Sequence, residues 1–203
     1  MKKSEYKKHP WHGISPGAHC PDVINAFIEI VPTDTVKYEI DKESGWLKVD
    51  RPQLFSVTVP ALYGFIPQTY CGDAVATLSM QRTGLSDIRG DGDPLDVLVL
   101  TEKQITTGGI LIRAIPIGGL LMLDKNEADD KIIAVMQDDA VYGHLTDISQ
   151  LSDRQIDKLR HYFLTYKSIP GRDNPVTIAH VYGRLDARDV ILRSIDDYHH
   201  QFA

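Results

Sequence analysis

The chain has 203 residues, enough for one large domain with a full core, and its apolar and charged fractions are those of a soluble globular protein. A formal net charge of −6 argues against a binder of nucleic acid or anionic membrane, whose affinity rests on clustered Lys and Arg. Two cysteines, Cys20 and Cys71, make neither a disulfide framework nor a zinc site, so a cytoplasmic, reduced setting is the default.

Met1 to Pro10 carries four lysines with no apolar stretch behind them and does not read as a signal peptide. Residues 1–25 are rich in Pro, Gly and His and read as an irregular arm, with Trp11 tucked onto the body. His9, His12 and His19 read more simply as part of that arm than as metal ligands. Ala26 to Val31 is the first strand, followed by Val36-Lys37-Tyr38-Glu39-Ile40, whose alternation puts Lys37 and Glu39 on one face. A turn at Asp41–Gly45 returns the chain as a partner strand, Trp46 to Arg51. On these strands alone, Lys37, Glu39 and Arg51 read as ordinary solvent-face residues.

Val59 to Pro67 is a short strand or bend with prolines near both ends. From Gln68 to Arg89 the composition turns polar, as in an inserted excursion (68–89) with a small hairpin around Val75 to Met80. Then comes Gly90-Asp91-Gly92-Asp93-Pro94-Leu95-Asp96, three carboxylates within six residues, running straight into the buried strand Val97 to Leu100. Gly92 and Pro94 make a helix improbable there. Crowded carboxylates raise one another's pKa unless something positive sits among them, and a hard divalent cation such as magnesium is the economical answer. A solvated acidic turn is the alternative. An EF-hand loop fails, because its fifth and sixth places would be Leu95 and Asp96.

Ile110 to Ile117 and Leu120 to Leu123 read as two further strands; Arg113, Pro116, Gly118 and Gly119 break this longest apolar segment, so no membrane span is expected. They lead to a second acidic turn, Asp124 to Lys131, and another strand, Ile132 to Val135. Ser152 and Gln155 suit a capping box for a helix whose Leu159, Tyr162, Phe163 and Tyr166 share one face, and Ile169-Pro170-Gly171 stops it. A strand from Val176 to Leu185 precedes a helix opening at Asp186 and packing Ile191, Ile195 and Tyr198, with a frayed tail from His199. Many short strands followed by helices indicate a single α+β domain, most simply a small closed β-barrel flanked by helices.

The acidic turn, Asp91-Gly92-Asp93-Pro94-Leu95-Asp96-Val97, resembles the signature of the class I (soluble) inorganic pyrophosphatases, D-x-D-P-x-D-x. Ile28-Glu29-Ile30, Lys37-Tyr38-Glu39, Asp41 to Gly45, Val49-Asp50-Arg51, Tyr63-Gly64-Phe65, Asp124, Asp129, Lys131 and Tyr166-Lys167 follow in the family's order, from about residue 26 to 167. The resemblance implies hydrolysis of pyrophosphate, a five-stranded OB-type barrel, magnesium as cofactor, a cytoplasmic setting and a homohexamer. By position it implies Asp91, Asp96 and Asp129 as ligands of the activating metals, with Asp124, Glu29 and Glu39 for further ions. Lys37, Arg51, Tyr63, Lys131, Tyr166 and Lys167 match the phosphate-binding set, and Asp93 the acceptor of a proton from the attacking water. Where many members read Tyr-Pro-x-Asn-Tyr-Gly, this chain has Val59-Pro60-Ala61-Leu62-Tyr63-Gly64, and its 68–89 segment is longer than in compact bacterial members. Another two-metal phosphoryl hydrolase would need a nucleotide-recognition surface that is not visible. A non-catalytic OB-type module should interleave basic and aromatic residues along its strands, whereas this chain puts acids at the strand ends.

Overall fold

The apolar runs of the chain become strands covered on both faces. In the computed structural model, which describes residues 8–53, 57–168 and 175–202, these are β1 (Ile24–Ile30), β2 (Val36–Ile40), β3 (Leu47–Pro52), β4 (Leu62–Phe65), β5 (Arg89–Gly90), β6 (Asp96–Leu100), β7 (Ile110–Asp124), β8 (Glu127–Ala128), β9 (Lys131–Met136) and β10 (Val176–Gly183). The helices are α1 (Asp73–Thr83), α2 (Asp153–Thr165) and α3 (Arg184–Phe202). The main sheet is mixed and runs β1-β4-β6-β9-β7-β8-β5, with β10 on β7 and a further pairing of β1 with β7; β2 and β3 form a separate hairpin.

Alternation along the strands sorts their side chains between two apolar clusters. Val97 and Val99 of β6 and Ile132 and Ala134 of β9 join Val75, Ala76 and Leu78 of α1 and Ala187, Val190 and Ile191 of α3. Leu98, Ile133 and Val135 face the other way, onto Leu120, Met122 and the α2 residues Leu159, Tyr162 and Phe163. Burial on both faces is why β6 and β9 read as unbroken apolar runs.

Several sequence expectations change. The Val75–Met80 segment is not a hairpin but the middle of helix α1, which buries Val75, Ala76, Leu78 and Ser79 and ends on a left-handed Gly84 at φ 71°. Its N-terminal amides are capped at long range. The Asp197 carboxylate of α3 accepts from Gly72 N at 2.9 Å, Ala74 N at 2.9 Å and Val75 N at 3.0 Å. The two strands expected between Ile110 and Leu123 are one strand, β7, with its register against β9 shifted between Pro116 and Gly118. Those residues mark a bulge and a close approach, not a break: a Cβ on Gly119 would lie 2.5 Å from the Tyr182 ring. Strand β1 begins two residues before Ala26, and β10 ends at Gly183 because α3 opens at Arg184.

The tail is helical through Phe202, whose ring stacks edge-on to Trp11 and Tyr70. Trp11 is buried and donates its indole N–H to Thr69 O at 2.8 Å, so the arm's described part is held down by this aromatic cluster. The Ser152–Gln155 capping box forms as expected. The Ile169-Pro170-Gly171 stop and the first seven residues lie outside the described residues.

Helix α1 therefore contributes to the core instead of looping away from it. Leu78, 7% exposed, and Leu85, 54% exposed, lie seven residues apart on one excursion. Leu78→Ala is expected to lower the unfolding free energy by about 2–5 kcal/mol, and Leu85→Ala to change it by less than about 0.5 kcal/mol. Urea denaturation of both variants checks this, and equal effects would contradict the packing of α1.

Candidate active site

Three neighbouring strands meet at their ends on one side of the sheet. In register, Phe65 of β4 stands opposite Asp96 of β6, and Asp96 opposite Lys131 of β9. Tyr63 donates its hydroxyl to Asp96 Oδ2 at 2.5 Å, and Lys131 Nζ donates to the same oxygen at 2.5 Å. Lys131 Nζ also contacts Asp129 Oδ1. Burial would strip the Lys131 ammonium of its proton, but Asp129 and Asp96 outweigh burial and hold its pKa well above the usual value. Burial first, then the negative charge of Asp96, pushes the Tyr63 phenol up, so it stays a hydrogen-bond donor.

The turn before β6 is shaped by its own side chain. Asp91 Oδ1 accepts from Asp93 N at 2.9 Å, and the intervening Gly92 sits at φ 74°, where a side chain would be strained. The turn is closed onto Cys71 by Cys71 N to Asp93 O at 2.8 Å and Gly92 N to Cys71 O at 3.1 Å. Burial, then the nearby Asp129, raises the Asp91 carboxyl above the usual range, and burial raises Asp129 as well. The Asp93 carboxylate, half exposed, reaches outward to Lys42 Nζ of the β2–β3 hairpin.

That hairpin forms the facing wall. Lys37 Nζ lies 3.2 Å from Glu39 Oε2 and 3.1 Å from Asp50 Oδ2, and Arg51 pairs with Asp50. Glu29 anchors it, because its Oε1 accepts from Ile40 N at 2.6 Å. Burial, with Asp96 adding repulsion, pushes Glu29 up to about 8. On the far side Lys167, following α2, donates to Asp124 Oδ2 at 2.6 Å.

Glu29, Lys37, Glu39, Arg51, Tyr63, Asp91, Asp93, Asp96, Asp124, Asp129, Lys131, Tyr166 and Lys167 all line one cavity of about 280 Å³. Every residue singled out from the sequence is thus brought to the same place. Three further polar side chains line it too, those of Lys42, Glu127 and Tyr162, beside the apolar Ile40, Phe65, Pro94 and Phe163. Lys42 lay in a stretch that looked only like a turn, and Tyr162 in one that looked only like a packed helix face. Glu127 belongs to the second acidic turn and pairs with Arg89 at 2.8 Å. The three histidines of the arm lie elsewhere; His9 Nδ1 accepts from Trp11 N at 3.2 Å.

The sequence pattern of the family described as inorganic pyrophosphatase matches residues 26–199. An inorganic pyrophosphatase of Chlamydia trachomatis is 50% identical over 195 residues, covering 94% of this chain and 93% of that protein. A soluble inorganic pyrophosphatase of Zea mays is 38% identical, covering 98% and 83%. Among solved structures, the inorganic pyrophosphatase from Thermus thermophilus superposes with a TM-score of 0.79 at 27% identity, covering 95% of this chain and 99% of that one.

The raised Glu29 carboxyl has a direct thermodynamic consequence. The folded chain holds its proton where the unfolded chain has lost it, so the stabilisation is present at low pH and disappears as pH rises. Without divalent cations, the melting temperature is expected to fall as pH climbs from about 4.5 to about 8. Glu29→Gln keeps an acceptor for Ile40 N and should flatten that slope, as differential scanning calorimetry across this range would read; an unchanged slope would clear Glu29 of the effect.

Proposed function

The chain belongs to the inorganic pyrophosphatase family and hydrolyses inorganic pyrophosphate to two orthophosphates, and from that premise we propose how the cavity does it. The observation that carries the reading is the convergence of Tyr63, Asp96 and Lys131 from adjacent strands beside the Asp91–Asp93 turn.

The donors fit magnesium. Eight carboxylates line the cavity against five cationic side chains, and the acidic set offers only hard oxygen ligands. Among the described residues no three acids stand close enough together to ligate one ion as they are placed; Lys131 Nζ, bonded to both Asp96 and Asp129, already stands among them as a cation. Asp91, Asp96 and Asp129 would hold the activating magnesium, with Asp124, Glu29 and Glu39 available to further ions. Bound there, magnesium acidifies a water and offsets charge on the substrate.

The chain's own groups do the rest. Asp93, half exposed at the turn's tip, accepts the proton of the attacking water as general base. Lys37, Arg51, Lys131 and Lys167 bind phosphate oxygens and spread the charge of the leaving group, each exchanging part of its present carboxylate pairing for the polyanion. Tyr63 and Tyr166 donate hydroxyls without adding charge, and Tyr63 also orients Asp96. The circuit β1-β4-β6-β9-β7, whose last strand pairs back to β1, supports reading the sheet as a five-stranded OB-type closed barrel, and the whole chain as one pyrophosphatase domain. A cytoplasmic homohexamer is the assembly the family resemblance favours. Val181, Leu185 and Leu192 offer exposed apolar surface for such contacts.

Phosphate release from pyrophosphate is expected to stop on exhaustive chelation, return with magnesium and be inhibited by calcium, which takes looser geometry; ATP under the same conditions should be a poor substrate. Full activity in chelator would sink the metal reading.

Within the turn, Asp93→Asn should keep metal affinity while kcat falls by roughly 10²–10⁴-fold. Asp91→Asn and Asp96→Asn should weaken metal binding and regain part of their rate with added magnesium. Calorimetric magnesium titration beside kcat decides; a magnesium-rescued Asp93→Asn would make Asp93 a ligand instead.

A further inference from the structure

Asp129 and Lys131 point into the cavity, and the residue between them points the other way. Asp130 is 4% exposed, on the face occupied by Ile132 and the α1 and α3 side chains. The reaction as read above does not use it. A buried carboxylate among apolar residues is costly unless it is paired and hydrogen-bonded. Its partner is Tyr182 of β10, whose hydroxyl donates to Asp130 Oδ1 at 2.8 Å in buried surroundings.

The tyrosine is itself fixed on two sides. Its ring lies on the glycine pair of β7, where a Cβ on Gly119 would come within 2.5 Å of it. On the other side Arg82, in the last turn of α1, stands 5.4 Å from the ring centroid. Arg82 is tied in turn to Asp186 at 2.8 Å and Asp189 at 3.5 Å, both on α3. A directional hydrogen bond thus grips the backbone midway between two cavity residues, and both helices on that face hold the donor in place.

We propose that Asp130 and Tyr182 are positioning residues for pyrophosphate hydrolysis. They fix the backbone between Asp129 and Lys131 so that both side chains enter the cavity at the working angle, with Arg82 bracing the tyrosine ring. The inference rests on the placement of Asp129 and Lys131 in the machinery. It gives the 68–89 excursion a part in the chemistry without touching substrate, since Arg82 belongs to that excursion.

Steady-state kinetics of the full-length chain with magnesium pyrophosphate tests this, with thermal denaturation run on every variant. Tyr182→Phe and Asp130→Leu should lower kcat by roughly tenfold or more, with KM changed less than about twofold, because misplacement by a fraction of an ångström is felt in the reacting geometry. Asp130→Asn keeps an oxygen for the tyrosine hydroxyl and should recover most of kcat. Arg82→Met keeps the packing stem, lies near the surface and should lose about threefold in kcat; it decides the matter if the buried variants fail to fold. Variants that melt earlier but keep kcat would overturn the proposal and leave the pair as packing only. So would an Asp130→Asn as impaired as Asp130→Leu, since the charge and not the bond would then matter. Asp129→Asn serves as control: if it stays fully active the site assignment falls and this inference with it, whereas a disabled Asp129→Asn beside an intact Tyr182→Phe removes this inference alone.

Discussion

A buried ammonium is the constraint on which the arrangement depends. Lys131, only 1% exposed, could not be kept charged there without Asp96 and Asp129, and neither carboxylate would be tolerated so deep without it. Asp96 lies more than thirty residues before Asp129 and Lys131, so their mutual need fixes the register of β6 against β9. Tyr63 extends the same bond to β4. Phe163 lies beneath, with its ring centroid 5.8 Å from the ammonium, so α2 is drawn onto the same point.

Around this fixed centre the charges are arranged so that a polyanion meets cations already held in place. Lys37, Lys48 and Arg51 are spread along one hairpin, each leaning on a carboxylate of that hairpin. These pairs are partly exposed and individually weak. Their weakness suits the proposed exchange of Lys37 and Arg51, which line the cavity, from these carboxylates to a polyanion. The hairpin is tied to β1 by Glu29, which accepts from Ile40 N at 2.6 Å, and by the packing of Ile40 and Leu47 with Phe27 and Phe65. The fixed wall and the exchangeable wall are thus built from different physics, burial on one side and solvent-screened pairing on the other.

What was legible in the sequence follows the same division. The acidic turns were readable because local spacing sets them, and Asp91, Asp93, Asp96, Asp124 and Asp129 from them line the cavity; Lys37, Glu39 and Arg51 read locally as solvent-face residues, and only the family resemblance pointed to their place there. The α2 capping box was readable from local spacing too. Helix α1 was not, because its weak amphipathic signal is offset by a cap, Asp197, that lies more than a hundred residues downstream. Nor was the continuity of β7, since Pro116, Gly118 and Gly119 look like breakers until Tyr182 is seen lying against them. The helical tail was misread as frayed because its stability comes from Trp11 and Tyr70, residues of distant segments. Lys42 and Tyr162 carried no local mark of the cavity. Long-range partners decide such cases, and periodicity does not register them.

The stem of the 68–89 segment is closed by backbone hydrogen bonds, with Thr69 Oγ1 also accepting from Leu95 N at 2.9 Å. Cys71 and the acidic turn exchange two amide hydrogen bonds, and a Cβ on Gly90 would lie 2.1 Å from Cys71 O. Beyond α1 the chain crosses open solvent, with Gly84, Leu85, Ser86 and Asp87 all exposed. The clamp therefore isolates the acidic turn from whatever length of chain is spliced in after Gly84. A reporter domain grafted between Leu85 and Ser86 would sit on a tether whose root is already fastened, and the enzyme could carry that cargo with its chemistry intact.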